Sequence, residues 1–141
     1  MSTTFEKFLV ISKDSTYKII SIESKKFIDT NVIYINKFDP KKIFSVIYTD
    51  RDSNFSYAKK FKIEKFITNK VYNIGTTNNG IINYISLDPK DKVNVYYKKK
   101  PKQKINEIVY DFSTLEIKGV SARGNRVSSK IVNKVTKKRV D

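Results

Sequence analysis

The chain has 141 residues, with 29 Lys and Arg against 14 Asp and Glu, a formal net charge of +15. It has no His and no Cys, which excludes disulfides, thiolate zinc sites, thiol nucleophiles and imidazole bases from its own chemistry. The length suits one domain or a stack of two or three small supersecondary units, and so large a positive surplus makes a polyanion the natural partner.

The apolar residues are rich in Ile, Val, Phe and Tyr, types that fit pleated, half-buried sheets. Only four Gly and three Pro punctuate them. The lead, residues 1–6, shows no basic stretch followed by an apolar one, so no signal peptide is expected. No apolar run approaches the length of a membrane span. The expected setting is the cytoplasm, without a membrane partner.

Short apolar runs recur with period two, each bounded by a turn. Residues 8–11 form a predicted strand, and Lys13-Asp14-Ser15 turns it into a second over 17–22. Residues 32–37 form a third, ended by Phe38-Asp39-Pro40. Residues 43–49 and 55–63 form the clearest hairpin, around Asp50-Arg51-Asp52-Ser53-Asn54. In its second strand Phe55, Tyr57, Phe61 and Ile63 share one face with Lys59, while Ser56, Ala58, Lys60, Lys62 and Glu64 share the other. The pleat then predicts a hydrophobic inner face and a basic outer one. Thr76 to Gly80 reads as a loop with an Asn-Gly turn signal. Residues 81–87 and 93–97 flank Pro89-Lys90-Asp91 and predict the next hairpin. A lysine-rich interruption, 98–104, precedes a strand over 105–112. Residues 118–129 lead to a last short strand over 130–135, where Val127, Ile131 and Val135 also have helical spacing. Residues 136–141 read as a basic, solvated tail. Residues 32–63 and 81–112 resemble each other loosely, at a spacing near 50 residues that suits a blade-like repeat.

The charge is uneven. Residues 1–89 hold 14 basic and 9 acidic residues, a net of +5, whereas residues 90–141 hold 15 and 5, a net of +10. An AT-rich genome would inflate Lys, Ile and Asn, but would not by itself concentrate charge. Lys98, Lys99, Lys100, Lys102 and Lys104 can neutralise phosphates and release counterions; the plain alternative is a loop kept soluble by charge. Pro101 keeps that run out of a regular ladder. Lys118, Arg123, Arg126 and Lys130 surround Gly119 and Gly124, where backbone can approach a phosphate and arginine can clamp one; the alternative is a tight corner with solvent-facing arginines. The glycine spacing mimics a P-loop, but Asn125-Arg126 stands where Lys-Ser/Thr is required, which excludes nucleotide binding there. Lys59, Lys60 and Lys62, beside Tyr57 and Phe61, complete the candidate nucleic-acid-binding set; the alternative is that the aromatics belong to the core. Asp50 and Asp52 lie in a turn that favours Asp for local backbone bonding, so no metal site and no catalytic residue is assigned.

The ordered series Val32-Ile33-Tyr34-Ile35-Asn36-Lys37-Phe38, Ile47-Tyr48-Thr49-Asp50-Arg51-Asp52 and Tyr57-Ala58-Lys59-Lys60-Phe61 resembles the late blades of the carboxy-terminal (β-pinwheel) domain found in the A subunits of bacterial topoisomerase IV and DNA gyrase. Lys70-Val71-Tyr72-Asn73-Ile74, Tyr110-Asp111-Phe112-Ser113 and the run from Ile117 to Asn125 fit the same family, the last being similar to its closing Lys-Gly signature. The resemblance implies an all-β, partial β-pinwheel of two to three propeller-like blades, each of about four antiparallel strands. Their approximate bounds are 7–31, 32–80 and 81–135 within a DNA-binding domain over 7–135. It implies a module that wraps double-stranded DNA for strand passage by a separate catalytic portion of the type IIA topoisomerase. The ATPase B subunit is then a further partner, and the location is nucleoid-associated. Mg²⁺ and ATP are implied for the whole topoisomerase and no cofactor for this chain. The gyrase box Gln-Arg-Arg-Gly-Gly-Lys-Gly is absent, which favours a topoisomerase IV-like role, and no Arg-Tyr dipeptide marks a cleavage tyrosine. The alternative expectation is an RNA-binding basic β-domain.

Overall fold

The structure, a computed structural model, describes residues 6–21 and 31–138. Residues 1–5 of the lead, the predicted strand end at residue 22 and residues 139–141 of the tail lie outside them. β1 (Lys7–Ser12) and β2 (Thr16–Ser21) form an antiparallel hairpin in which Ser12 faces Thr16. Ser15 takes a φ of 65° in its turn, and its N–H donates to Ser12 O at 3.2 Å. β3 (Val32–Lys37) lies antiparallel on the far edge of β1. β4 (Phe44–Asp50) and β5 (Phe55–Lys62) are the predicted hairpin, closed by Asn54 N–H donating to Asp50 O at 2.7 Å. Asn54 sits at a φ of 64°, a conformation Asn tolerates because its short side chain bonds locally. The remaining strands are β6 (Tyr72–Asn73), β7 (Gly80–Ser86), β8 (Lys92–Tyr97), β9 (Glu107–Asp111), β10 (Ile117–Gly119), β11 (Asn125–Arg126) and β12 (Val132–Lys137). The described helical content is one 3-10 turn, Phe112–Thr114, capped by the Asp111 carboxylate accepting from Ser113 N–H.

The protein is all-β. Its strands form three sheets: β3-β1-β2-β6, then β10-β5-β4-β7 with β11 also on β5, then β12-β8-β9. The sheets are not cut from consecutive segments. β3 joins the first, β6 returns to it after the β4–β5 hairpin, and β7 joins the second.

Two predicted local features differ. β7 and β8 do not pair with each other across Pro89-Lys90-Asp91, because β7 pairs with β4 and β8 with β9 and β12. The turn instead carries the chain from one sheet to the next. Asp91 is buried in it, accepting from Tyr84 Oη at 2.7 Å and from Lys92 N–H at 2.8 Å. The helical spacing of Val127, Ile131 and Val135 resolves as extended chain, since residues 132–137 gain a ladder on β8. Thr136 and Lys137, read as tail from sequence, belong to that ladder.

The second sheet is the middle layer. On one side Phe44, Val46, Tyr48, Tyr57 and Phe61 pack with Leu9, Ile11, Tyr17 and Ile19 of the first sheet. On the other side Ile47 and Ala58 pack with Val93, Val95, Tyr97, Phe112, Leu115 and Val132 around the third. Both faces of β4 and β5 are therefore covered, and burial at roughly 25 cal/mol per Å² of apolar surface is the main favourable term. Polar residues on these strands need internal partners: Thr49 Oγ1 bonds Ser56 Oγ and Asn83 Oδ1, each at 2.6 Å.

Candidate nucleic-acid interface

The five lysines of 98–104 stand on the connection from β8 to β9, and all five are exposed. The loop is shaped by its backbone and by Gln103. Gln103 N–H donates to Lys100 O at 3.1 Å, and its side-chain amide donates to Lys98 O at 3.2 Å and Asn106 Oδ1 at 2.8 Å. Lys102 takes a φ of 66°. Among the described residues no carboxylate lies within ion-pair distance of any of the five ammonium groups, although Glu107 lines the same cleft as Lys98 and Lys99. Lys98 and Lys99 line a cleft of about 590 Å³ with Tyr96, Tyr97 and Lys134. Lys134 lies over the Tyr96 ring at 5.0 Å and Lys130 over the Tyr97 ring at 5.3 Å. Lys130 also donates to Ile105 O at 3.1 Å, and Ile131 O accepts from Lys98 N–H at 2.8 Å, which ties residues 130–131 to this loop. Lys134 was not among the residues singled out from sequence; its placement depends on the β12–β8 register, which no local pattern specifies.

A second basic group forms where β10 and β11 both join β5. β10 runs parallel to β5, placing Lys118 opposite Phe61, and β11 returns antiparallel, placing Arg126 opposite Tyr57. Residues 119–125 turn the corner between them. Arg123 and Arg126 are exposed, and the Arg126 guanidinium lies 4.6 Å from the Phe55 ring centroid. Lys118 donates to Asn125 Oδ1 at 2.9 Å, across the corner. Lys62, Lys65 and Lys118 line a cleft of about 620 Å³ with Tyr17, Tyr72 and Glu64. Lys65 joins this group only through the fold. The two glycines differ in role. A Cβ on Gly124 would come within 2.6 Å of Ala58 O, so this glycine lets the corner sit on the β5 backbone, whereas a Cβ on Gly119 would meet nothing within 4 Å.

Lys59 and Lys60, both in the candidate set, are buried, and Lys60 thereby departs from the predicted basic outer face. Lys59 is 1% exposed and Lys60 7%, because β5 is a central strand with a sheet against each face. The Lys59 ammonium donates to the carbonyl oxygens of Val120 and Ala122 and sits 5.6 Å from the Phe61 ring centroid. Burial, and then the nearby charge of Lys118, push its pKa down to about 7. Lys62, at the end of the strand, is half-buried. Asp50 and Asp52 act within the turn: Asp50 Oδ1 accepts from Asp52 N–H at 2.9 Å, and Asp52 Oδ1 accepts from Asn79 Nδ2 at 2.9 Å. Among the described residues no group of three or more acidic side chains could hold a metal ion, and no helix is long and apolar enough to cross a membrane.

Comparison with known proteins places the chain. The A subunit of DNA topoisomerase 4 from Borreliella burgdorferi is 34% identical over 135 residues, which cover 93% of this chain and 20% of that protein. This chain therefore spans about a fifth of that relative's length. A crystal structure of the C-terminal domain of DNA topoisomerase IV aligns over 95% of this chain and 62% of that one, with a TM-score of 0.42 and 9% identity. The model of the family described as Topoisomerase C-terminal domain, Bacteroidota, matches residues 2–139, and with all but the extreme ends of the sequence inside that match, the chain belongs to this family of topoisomerase C-terminal domains.

Proposed function

We propose that this chain is the DNA-holding C-terminal module of a type IIA topoisomerase of the topoisomerase IV kind, carried by its A subunit. In this reading it grips duplex DNA by the backbone and presents it to a separate catalytic portion for strand passage, with an ATPase B subunit completing the enzyme. Its location is cytoplasmic, on the nucleoid. Each sheet acts as one blade-like unit, so the units interleave in sequence instead of following the bounds 7–31, 32–80 and 81–135.

The observation that carries the reading is the 98–104 loop: five exposed ammonium groups with no acidic partner among the described residues, beside Lys130 and Lys134. Duplex DNA carries one charge per roughly 1.7 Å of axis, and each neutralised phosphate releases counterions. Lysines are point charges that suit phosphate binding without base readout. The corner group, Lys62, Lys118, Arg123 and Arg126, is the second proposed DNA-facing surface.

The test is fluorescence anisotropy with unrelated duplexes at several salt concentrations. Binding is expected to be similar across sequences and to weaken linearly on a log–log salt plot. A chain that binds no duplex at low salt overturns the reading, and single-stranded RNA competing better than duplex DNA replaces it with an RNA-binding one.

A further inference from the structure

We propose that Lys59 is a positioning residue: buried inside the central sheet, it clamps the 119–125 corner so that Arg123 and Arg126 reach DNA phosphates together. The inference rests on the DNA-binding reading above.

A lysine in the middle of a strand covered on both faces is costly, since an amine taken from water must recover its hydrogen bonds. Apolar neighbours surround its stem: Val46 lies opposite it on β4 and Phe61 two residues along. A methionine would fill similar space, so apolar packing does not call for the amine. What the amine supplies is direction. It reaches two carbonyls on alternate residues, Val120 and Ala122, across 61 and 63 positions of sequence, and a corner held at both points has little freedom in its path. The other fixtures of the corner include Lys118 Nζ, which donates to the Asn125 side chain at 2.9 Å, and two backbone N–H groups. Gly124 N–H donates to Tyr48 Oη at 3.0 Å, and Gly75 N–H donates to Val120 O at 2.9 Å. The exposed arginines carried on or just after the clamped stretch are Arg123 and Arg126. Because the lysine is pushed toward neutrality near pH 7, the chemistry must work in both states. A neutral amine keeps two N–H donors, enough for both carbonyls, so the clamp persists in either.

The test uses the full chain with Lys59→Met, which keeps an unbranched apolar stem and removes the donors, and Lys59→Arg, which restores donors. Duplex affinity across a salt series is read beside amide hydrogen exchange of the DNA-free chain. Lys59→Met is expected to speed exchange at residues 120–125 at least tenfold while leaving the β4–β5 ladder protected, to weaken duplex binding severalfold and to flatten the salt slope. The reduction should be less than additive with that of Arg123→Gln/Arg126→Gln, since both act through the same corner. Lys59→Arg should recover part of it. Equal duplex affinity for wild type and Lys59→Met, or full additivity with the arginine pair, overturns the clamp. A wild type that binds no duplex overturns the proposed function instead, so the two failures are distinct. Should Lys59→Met not fold, the wild type decides: NMR at about pH 6 and low temperature should show slowly exchanging Lys59 side-chain protons, and a freely exchanging amine refutes the clamp.

Discussion

Two lysine runs that look alike in sequence meet opposite fates. Lys98-Lys99-Lys100 lies on a connection between strands and projects all three ammonium groups into water. Lys59-Lys60 lies within a period-two strand and is almost completely enclosed. Pro101 keeps the first run out of a ladder, and what covers each run decides its exposure. An edge or a loop has one free side, whereas β5 has the first sheet against one face and the third against the other. A basic run is thus a binding surface only where the tertiary layering leaves it uncovered; inside a central strand the same residue becomes an internal tie.

The largest expected effect separates the two regions by pH. The Lys59 pKa is about 7 in the folded chain against an ordinary 10.5. Between those values the unfolded chain binds the extra proton and the folded one does not, so stability rises with pH across the window. The penalty is absent above pH 10.5 and full below pH 7. The slope is at most about 1.4 kcal/mol per pH unit. Chemical denaturation from about pH 7 to about pH 9.5 should show this rise and Lys59→Met should abolish it, whereas Lys98→Gln/Lys99→Gln/Lys100→Gln should leave it intact. The upper bound avoids the tyrosines, because Tyr17 and Tyr84 are raised to about 12 and reverse the trend once unfolded tyrosine ionises near pH 10.

Next comes Gly124→Ala. Its Cβ would press on the Ala58 carbonyl at 2.6 Å, and overpacking of that kind costs about 1–3 kcal/mol. Thermal melts should show the destabilisation, and an unchanged Tm would mean that the corner does not sit on β5.

The loop should show the converse behaviour. Lys98→Gln/Lys99→Gln/Lys100→Gln should hold stability within about 0.5 kcal/mol while flattening the log–log salt slope of duplex binding by about 0.9 for each phosphate no longer neutralised. Changing Lys7, Lys13 and Lys18 to Gln should do much less, and equal effects would mean that the charge acts as a diffuse cloud rather than as a surface. The smallest effect belongs to Gly119→Ala, whose Cβ meets nothing; its Tm should match the wild type, and a clear drop would show that the corner is more crowded than described.

Much of the local structure was legible. The hairpins around Ser15 and around residues 50–54 follow from turn residues between period-two runs, and the strand at 105–112 appears as β9 with its Asp111-capped turn. The Pro89 turn was legible as a reversal but not as a change of sheet, because a turn fixes chain direction and not which edge a strand finds. The exposed 98–104 loop was legible through Pro101 and its charge. Lys65 and Lys134 were not, since each reaches its cleft through residues distant in sequence.

By itself, then, the sequence determined the all-β class, the exposed basic loop and the lack of His and Cys, because composition, alternation and turn residues act over a few neighbouring positions. Only the tertiary structure decided which sheet each strand joined, and with it that Lys59 and Lys60 lie inside. A strand's two faces can be told apart from its own pattern, but whether a second layer covers the polar one depends on the third sheet, formed by residues well beyond β5 in the chain.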